Sequence, residues 1–112
     1  MANFNGAGDV FYTNFEGADL EGVNFRRCDV VKSIFKRADL KDADFRETEL
    51  WKTDFSEANL EGANFLGATR LEEGQLSRAR TLYRAKLDPP LYEKIKMKYP
   101  KLMEKPAGPG LR

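Results

Sequence analysis

The sequence predicts an all-β solenoid, a chain that turns a corner every five residues and closes a square coil every twenty. Three observations predict it. Between residues 8 and 69 every position divisible by five is large and apolar: Val10, Phe15, Leu20, Phe25, Val30, Phe35, Leu40, Phe45, Leu50, Phe55, Leu60 and Phe65. Two places before each stands a small residue, from Gly8 and Thr13 through Cys28 and Ser33 to Ala58 and Ala63. The large residues alternate aliphatic and Phe, so a second period of ten overlies the first.

A period of five fits neither common element. Residues five apart on an α-helix lie about 140° from one another, which would spread the apolar set round the whole surface. On a strand an odd spacing sends successive members to opposite faces. A chain that bends every five residues keeps all of them inside, and repeats of this kind must be sought before secondary structure. At twenty residues per coil, Phe15, Phe35 and Phe55 stack on one wall and Phe25, Phe45 and Phe65 on the opposite wall. Leu20, Leu40 and Leu60 form a third ladder, and Val10, Val30 and Leu50 a fourth. Coils then lie about 4.8 Å apart. Only a small side chain fits beside each large one, so Cys28 reads as a small buried hydrophobe and not as a nucleophile.

Most large residues are preceded by Asp or Asn, as in Ala18-Asp19-Leu20-Glu21-Gly22, Ala38-Asp39-Leu40-Lys41-Asp42 and Ala58-Asn59-Leu60-Glu61-Gly62. These units resemble the A(D/N)LXX motif of the pentapeptide-repeat family, in tandem copies over more than half of the chain. The resemblance implies a right-handed quadrilateral parallel β-helix, here of about three coils, with backbone hydrogen bonds running between coils. Leu71 to Leu87 is also similar to the C-terminal cap of family members. The organisation expected is a β-helix over residues 1–70, a helical C-terminal cap over 71–104 and a disordered tail over 105–112.

In chain order, Phe4 looks like one more large residue, but it stands six places before Val10. A one-residue insertion therefore falls in Asn5-Gly6-Ala7-Gly8, where glycine tolerates a bulge. Along the solenoid the outward positions after each large residue are mostly charged, with mixed sign. One column departs: Phe11, Val31 and Trp51, with Leu71 next in register, Tyr12 beside Phe11, and Ile34 where Asp or Asn is usual. A contiguous apolar stripe calls for an explanation that single exposed residues do not. Either the C-terminal segment folds over Phe11, Tyr12, Val31, Ile34 and Trp51, or these residues meet a partner with Trp51 as the anchor.

The pattern ends at Arg70, since an unpaired Arg cannot enter the core. Thr69 is placed to cap a helix, and Leu71, Gln75, Leu76, Ala79, Leu82 and Tyr83 recur at helical spacing. Ala85-Lys86-Leu87-Asp88 repeats the small-x-Leu pattern and adds a final half-wall. Pro89-Pro90 breaks the chain before a second helix carrying Leu91, Tyr92, Ile95 and Tyr99, with Lys94, Lys96, Lys98 and Lys101 on its other side. Those lysines read as a solvated face favourably placed near a helix C-terminus.

Composition narrows the function. The chain has no histidine, one cysteine and a net charge of +1. No catalytic constellation is present, and neither a cofactor nor a metal is expected. The recurrent Asp and Asn belong to the repeat, where they bond to backbone groups near corners. Charge is uneven: residues 1–70 carry 13 acidic and 9 basic side chains, and residues 71–112 carry 5 and 10. Neither a membrane span nor a signal peptide is expected at Met1–Val10, and the lone cysteine suits a reducing, cytoplasmic setting. The leading expectation is a non-enzymatic scaffold or protein-interaction module. Its partner would be an unidentified protein or a second copy, with no membrane and no direct nucleic-acid binding. The alternative that the resemblance implies is a DNA-mimicking inhibitor or protector of DNA gyrase or another DNA-binding protein. Against it stand the short solenoid, the mixed charge and the basic C-terminal part.

Overall fold

The computed structural model describes residues 3–4 and 10–106. The insertion expected at Asn5–Gly8, together with Asp9, lies outside the described residues, as does the tail from residue 107 onward.

Each wall is three residues long and meets the wall one coil above by a single parallel bridge. Asn14 bridges to Ile34 and Ile34 to Asp54; Asp19 bridges to Asp39 and Asp39 to Asn59; Asp29 bridges to Glu49 and Glu49 to Thr69. The step is twenty residues, so four five-residue units close one coil. The N–H of each large residue except Phe55 donates to the carbonyl above it, as in Phe15 to Ile34 (2.7 Å) and Leu40 to Asn59 (2.8 Å). The second corner residue takes a left-handed conformation, with φ from 52° to 64° at Tyr12, Arg27, Lys32, Arg37, Asp42, Glu47, Lys52 and Glu57. Gly17, Gly22, Gly62 and Gly67 fill the same place on other walls. A side chain there costs on the order of 1 kcal/mol. The corner N–H offsets this by bonding upward, as Lys32 does to Trp51 (2.9 Å) and Arg37 to Ser56 (2.9 Å).

The Asp and Asn of the repeat hold these corners. Oδ1 of Asn14, Asp19, Asn24, Asp29, Asp39, Asp44, Asp54, Asn59 and Asn64 accepts the backbone N–H two residues on, at 2.8–3.3 Å. This is the Asx turn, which satisfies a donor the corner would otherwise leave open. Asp44 also receives the guanidinium of Arg46 at 2.7 and 3.0 Å. That hydrogen bond holds its carboxyl below the usual range. A carboxyl with a depressed folded pKa stabilises the native state at neutral pH, and the contribution is lost as pH falls below about 4. Asp44→Asn keeps the Oδ1 acceptor but loses the charge. Its urea midpoint should therefore fall less than that of the parent between pH 7 and pH 3; parallel pH profiles would refute the assignment.

The large residues fill the interior. Phe25, Val30, Phe35, Leu40, Phe45, Leu50, Phe55 and Leu60 are fully buried, and Phe65 nearly so. Phe15 and Leu20 are only partly buried, because they sit in the lowest complete coil. Phe25, Phe45 and Phe65 stack with ring centroids 5.1–5.2 Å apart, and Phe15, Phe35 and Phe55 at 5.0–5.4 Å. The two ladders also meet across the coil. Rings of adjacent Phe walls contact edge to face at 5.5–5.8 Å and 68–86°. Each interior ring is therefore stacked above and below and met by ring edges from the side, an arrangement favoured by the ring quadrupole. Phe4 lies parallel to Phe25 at 4.9 Å, 21 residues away and not 20, which matches one extra residue between them. The small slots are buried too. Cys28 points its Sγ at the Phe4 carbonyl, 2.6 Å away, and Ser33 and Thr53 donate to the carbonyls of Val10 (2.5 Å) and Val30 (2.7 Å).

Past Thr69 the structure departs from the helix expected over residues 71–83. Thr69 still belongs to the solenoid, donating its N–H to Thr48 (2.8 Å). Arg70 does not enter the core; at φ 57° its side chain turns outward toward Glu49, 3.8 Å away. Only Glu73–Leu76, here α1, forms a helical turn. Its cap is Glu72, reciprocally bonded with Gln75, and not Thr69. Of the apolar residues read as a helical stripe, Leu76 lies in α1 but Leu82 is a solenoid residue. Thr81 bridges to Asn59 and Lys86 to Asn64, so Leu82 and Leu87 are two more inward residues. Arg70 interrupts the ladder for one stretch and does not end it. Then follow α2, Pro89–Lys98, and a 3-10 turn, Pro100–Met103. Ile95 is fully buried, and Leu91, Tyr92, Tyr99, Leu102 and Met103 pack against the core. The N–H of Leu82 donates to the Leu102 carbonyl (2.8 Å), so this segment supplies an acceptor to the last coil.

Candidate interaction surface

Phe11, Val31 and Trp51 are first corner residues on successive coils, and Tyr12, Lys32 and Lys52 are the second. The rung geometry places both columns on one corner of the solenoid, with Ile34 on the adjoining wall between Asn14 and Asp54. Phe11 is 41%, Trp51 39% and Tyr12 69% exposed, while Val31 and Ile34 are half-buried. The expected continuation at Leu71 fails. Leu71 packs against the core and borders a cleft with Pro90, Leu91 and Lys94.

Two residues of this surface have no counterpart among the stripe residues picked from the sequence. The Lys32 ammonium lies 5.5 Å from the Tyr12 ring centre and 5.0 Å from that of Trp51, and Lys52 lies 4.9 Å from Trp51. Cation–π contacts at an exposed site are worth about 0.5–1 kcal/mol each. They fix the two cations over the aromatic corner. The signal was readable, since Lys32 and Lys52 share the twenty-residue register of Tyr12.

Elsewhere the charged surface is neutralised locally. Arg37 pairs with Glu16 and Glu57, Arg27 with Glu47, and Lys98 with Glu73. The Arg27 hydrogen bond lowers the Glu47 pKa. Carboxylates of Asp19, Glu21 and Asp39 converge on another part of the surface. Asp19 and Asp39 already hold the N–H groups of Glu21 and Lys41, so their geometry is that of the repeat. Among the described residues no helix is long and apolar enough to cross a membrane.

No curated protein matches this sequence. Solved structures do. One is a pentapeptide repeat protein from the thylakoid lumen of Arabidopsis thaliana, 19% identical, with a TM-score of 0.49 over 80% of this chain and 75% of that one. Another is HetL, a pentapeptide repeat protein involved in heterocyst differentiation regulation in the cyanobacterium Nostoc. It is 22% identical, with a TM-score of 0.27, and the alignment covers 70% of this chain and 38% of HetL. The family model for pentapeptide repeats matches residues 12–37 and 38–69, in 8 copies. Proteins of that family are typically structural or interaction proteins. With the family pattern covering half of its length, the chain belongs to the pentapeptide-repeat family, and its body has that family's right-handed quadrilateral β-helix.

Proposed function

We propose that this protein is a non-enzymatic interaction module, a scaffold that meets a protein partner or a second copy through the corner stripe of Phe11, Tyr12, Val31, Ile34 and Trp51. The observation that carries this reading is that the stripe stays open. The C-terminal segment packs against the core through Ile95, Tyr99 and Leu102 and hydrogen-bonds to Leu82, while Trp51 and Phe11 remain about two-fifths exposed. Exposed aromatic residues at both ends of an apolar column, Phe11 and Tyr12 below and Trp51 above, are the composition of an anchor. In the same reading the C-terminal segment is a helical cap, shielding a last coil that has no neighbour. The one cysteine of the sequence, Cys28, is buried, which suits a reducing, cytoplasmic setting. The DNA-mimic alternative gains no support from a surface on which Arg26, Arg27, Arg37 and Arg46 interleave with Glu and Asp.

Trp51→Glu tests the stripe. A surface substitution shifts stability by about 0.5 kcal/mol or less. Sedimentation velocity should therefore show altered self-association or solubility with an unchanged unfolding midpoint. A variant that unfolds, or one as monomeric and soluble as the parent, would remove the stripe from consideration.

A further inference from the structure

The two ends of the solenoid are unlike. Within the body, carbonyls that point toward the N-terminal end receive N–H groups from the coil below. Ile34, Lys36, Asp39 and Lys41 accept in this way from Phe15, Gly17, Leu20 and Gly22 at 2.7–2.9 Å. Their equivalents one coil lower, the carbonyls of Asn14, Glu16, Asp19 and Glu21, receive none among the described residues. The N–H groups of Asn14 and Asp19 are open in the same direction, where those of Ile34 and Asp39 reach Thr13 and Ala18. All four residues are exposed. An open edge of this kind is a template for pairing. Inside it Phe4, Phe15 and Leu20 are only partly buried. Between Val10 and Gly22 the chain carries Glu16, Asp19 and Glu21 and no basic residue, a charge of −3. Arg37 of the coil above meets Glu16, but the carboxylates of Asp19 and Glu21 converge with Asp39 and have no ion pair among the described residues.

The other end is basic. There α2 and the turn after it pack against the core through Ile95, and the Leu102 carbonyl accepts from Leu82 as a further coil would. At about 100° per residue, the side of α2 away from Ile95 carries Glu93 and Met97, flanked by Lys94 and Lys96. Met97 is 81% exposed. Residues 89–105 hold five lysines against Glu93 and Glu104, a charge of +3. Lys98 pairs with Glu73, and Lys96 lies over the Tyr92 ring. Lys94 and Lys101 are exposed and have neither an ion pair nor a ring contact among the described residues.

We propose that the basic end of one copy docks on the open acidic end of a second copy, head to tail. Lysine ammonium groups donate and cannot accept. They meet an edge that offers mostly acceptors, four backbone carbonyls and the Asp19 and Glu21 carboxylates. Met97 rests on the rim formed by Phe15 and Leu20. Two open ends are poor partners for each other, because a two-fold pairing sets acid against acid. Head-to-tail contact does not close, so copies add in a row. A square coil with three-residue walls has a backbone about 10 Å on a side, and its end offers well under the roughly 800 Å² per partner of a stable dimer. The contact is therefore weak, grows with concentration and, being ionic at its rim, falls with salt. It uses a different surface from the stripe and does not rest on the stripe reading.

The test is sedimentation equilibrium of the full chain at up to millimolar concentration, in low and high salt. In low salt the average mass should rise with concentration without stopping at a dimer; in high salt it should return toward the monomer. Asp19→Asn with Glu21→Lys removes the charge of the open end, and Asn keeps the Oδ1 turn acceptor, as Asn14 and Asn24 do. Lys94→Glu with Lys101→Glu reverses the other end. Each double variant alone should associate about tenfold or more weakly, as expected when charged partners are removed or reversed. Their equimolar mixture should regain the parental affinity but stop at pairs, since each variant keeps one intact end. In the parent, dilution should shift the amide signals of Asn14 and Asp19 and also those of Lys96 and Met97, a readout that needs no variant. A parent that stays monomeric at millimolar concentration would overturn the inference, as would dilution shifts at one end alone or a mixture no more associated than its components. Association that Trp51→Glu abolishes and both charge variants keep would belong to the stripe, and would overturn the end-to-end contact.

Discussion

Phe45→Ala is expected to cost about 5 kcal/mol, the top of the range for truncating a buried Phe. The reason is its position. Phe45 stacks between Phe25 and Phe65 at 5.2 and 5.1 Å and meets Phe35 and Phe55 edge to face at 5.6 and 5.5 Å. Its removal opens a cavity that four rigid rings border, on backbone tied to the coils above and below. Phe15→Ala should cost clearly less, because Phe15 is only partly buried and has no complete coil beneath it. Small domains have about 5–15 kcal/mol in hand, so Phe45→Ala alone can approach unfolding. Phe45→Leu, which keeps most of the volume, places the effect on a measurable scale. Urea denaturation of the four proteins checks the order; equal losses at Phe15 and Phe45 would mean that the interlocked ladders add nothing beyond single-ring burial.

Ile95→Ala is expected to cost about 3 kcal/mol and to act locally. Ile95 is the fully buried residue of α2, and the segment it anchors supplies the Leu102 carbonyl to Leu82. In a solenoid each unit contacts its neighbours alone, so a loss at one end need not reach the other. Native-state hydrogen exchange should show the amides of Leu82 and Tyr99 losing protection first, while those of Phe25 and Phe35 keep theirs. A uniform loss over all coils would show that the C-terminal segment folds as one unit with the body and is no separable cap.

Much of the body was legible because its restraint is periodic. Each large residue meets the same surroundings twenty residues later, so a one-dimensional pattern specifies a three-dimensional contact. The same holds for Asp and Asn, whose turn bonds reach only two residues along the chain. Residues 70–83 were misread for a related reason. Leu76, Ala79 and Leu82 match helical spacing, yet Leu82 lies in a wall because Thr81 finds Asn59. A pairing partner 22 residues away outweighs a local preference, and a 22-residue step has no place in a pattern of fives.

By itself the sequence determined the five-residue wall, the four inward ladders, the corner that carries the stripe and the absence of histidine chemistry. Tertiary structure alone decided what the breaks in the pattern become. It turned Arg70 outward, returned Leu82 to the core, packed α2 against the core through Ile95, and left the Lys52 and Phe55 donors open beside Gln75. The physical reason is the reach of the interactions. A repeat is set by neighbours at a constant separation, whereas the fate of an interruption depends on which unpaired backbone groups lie nearest once the coils have formed.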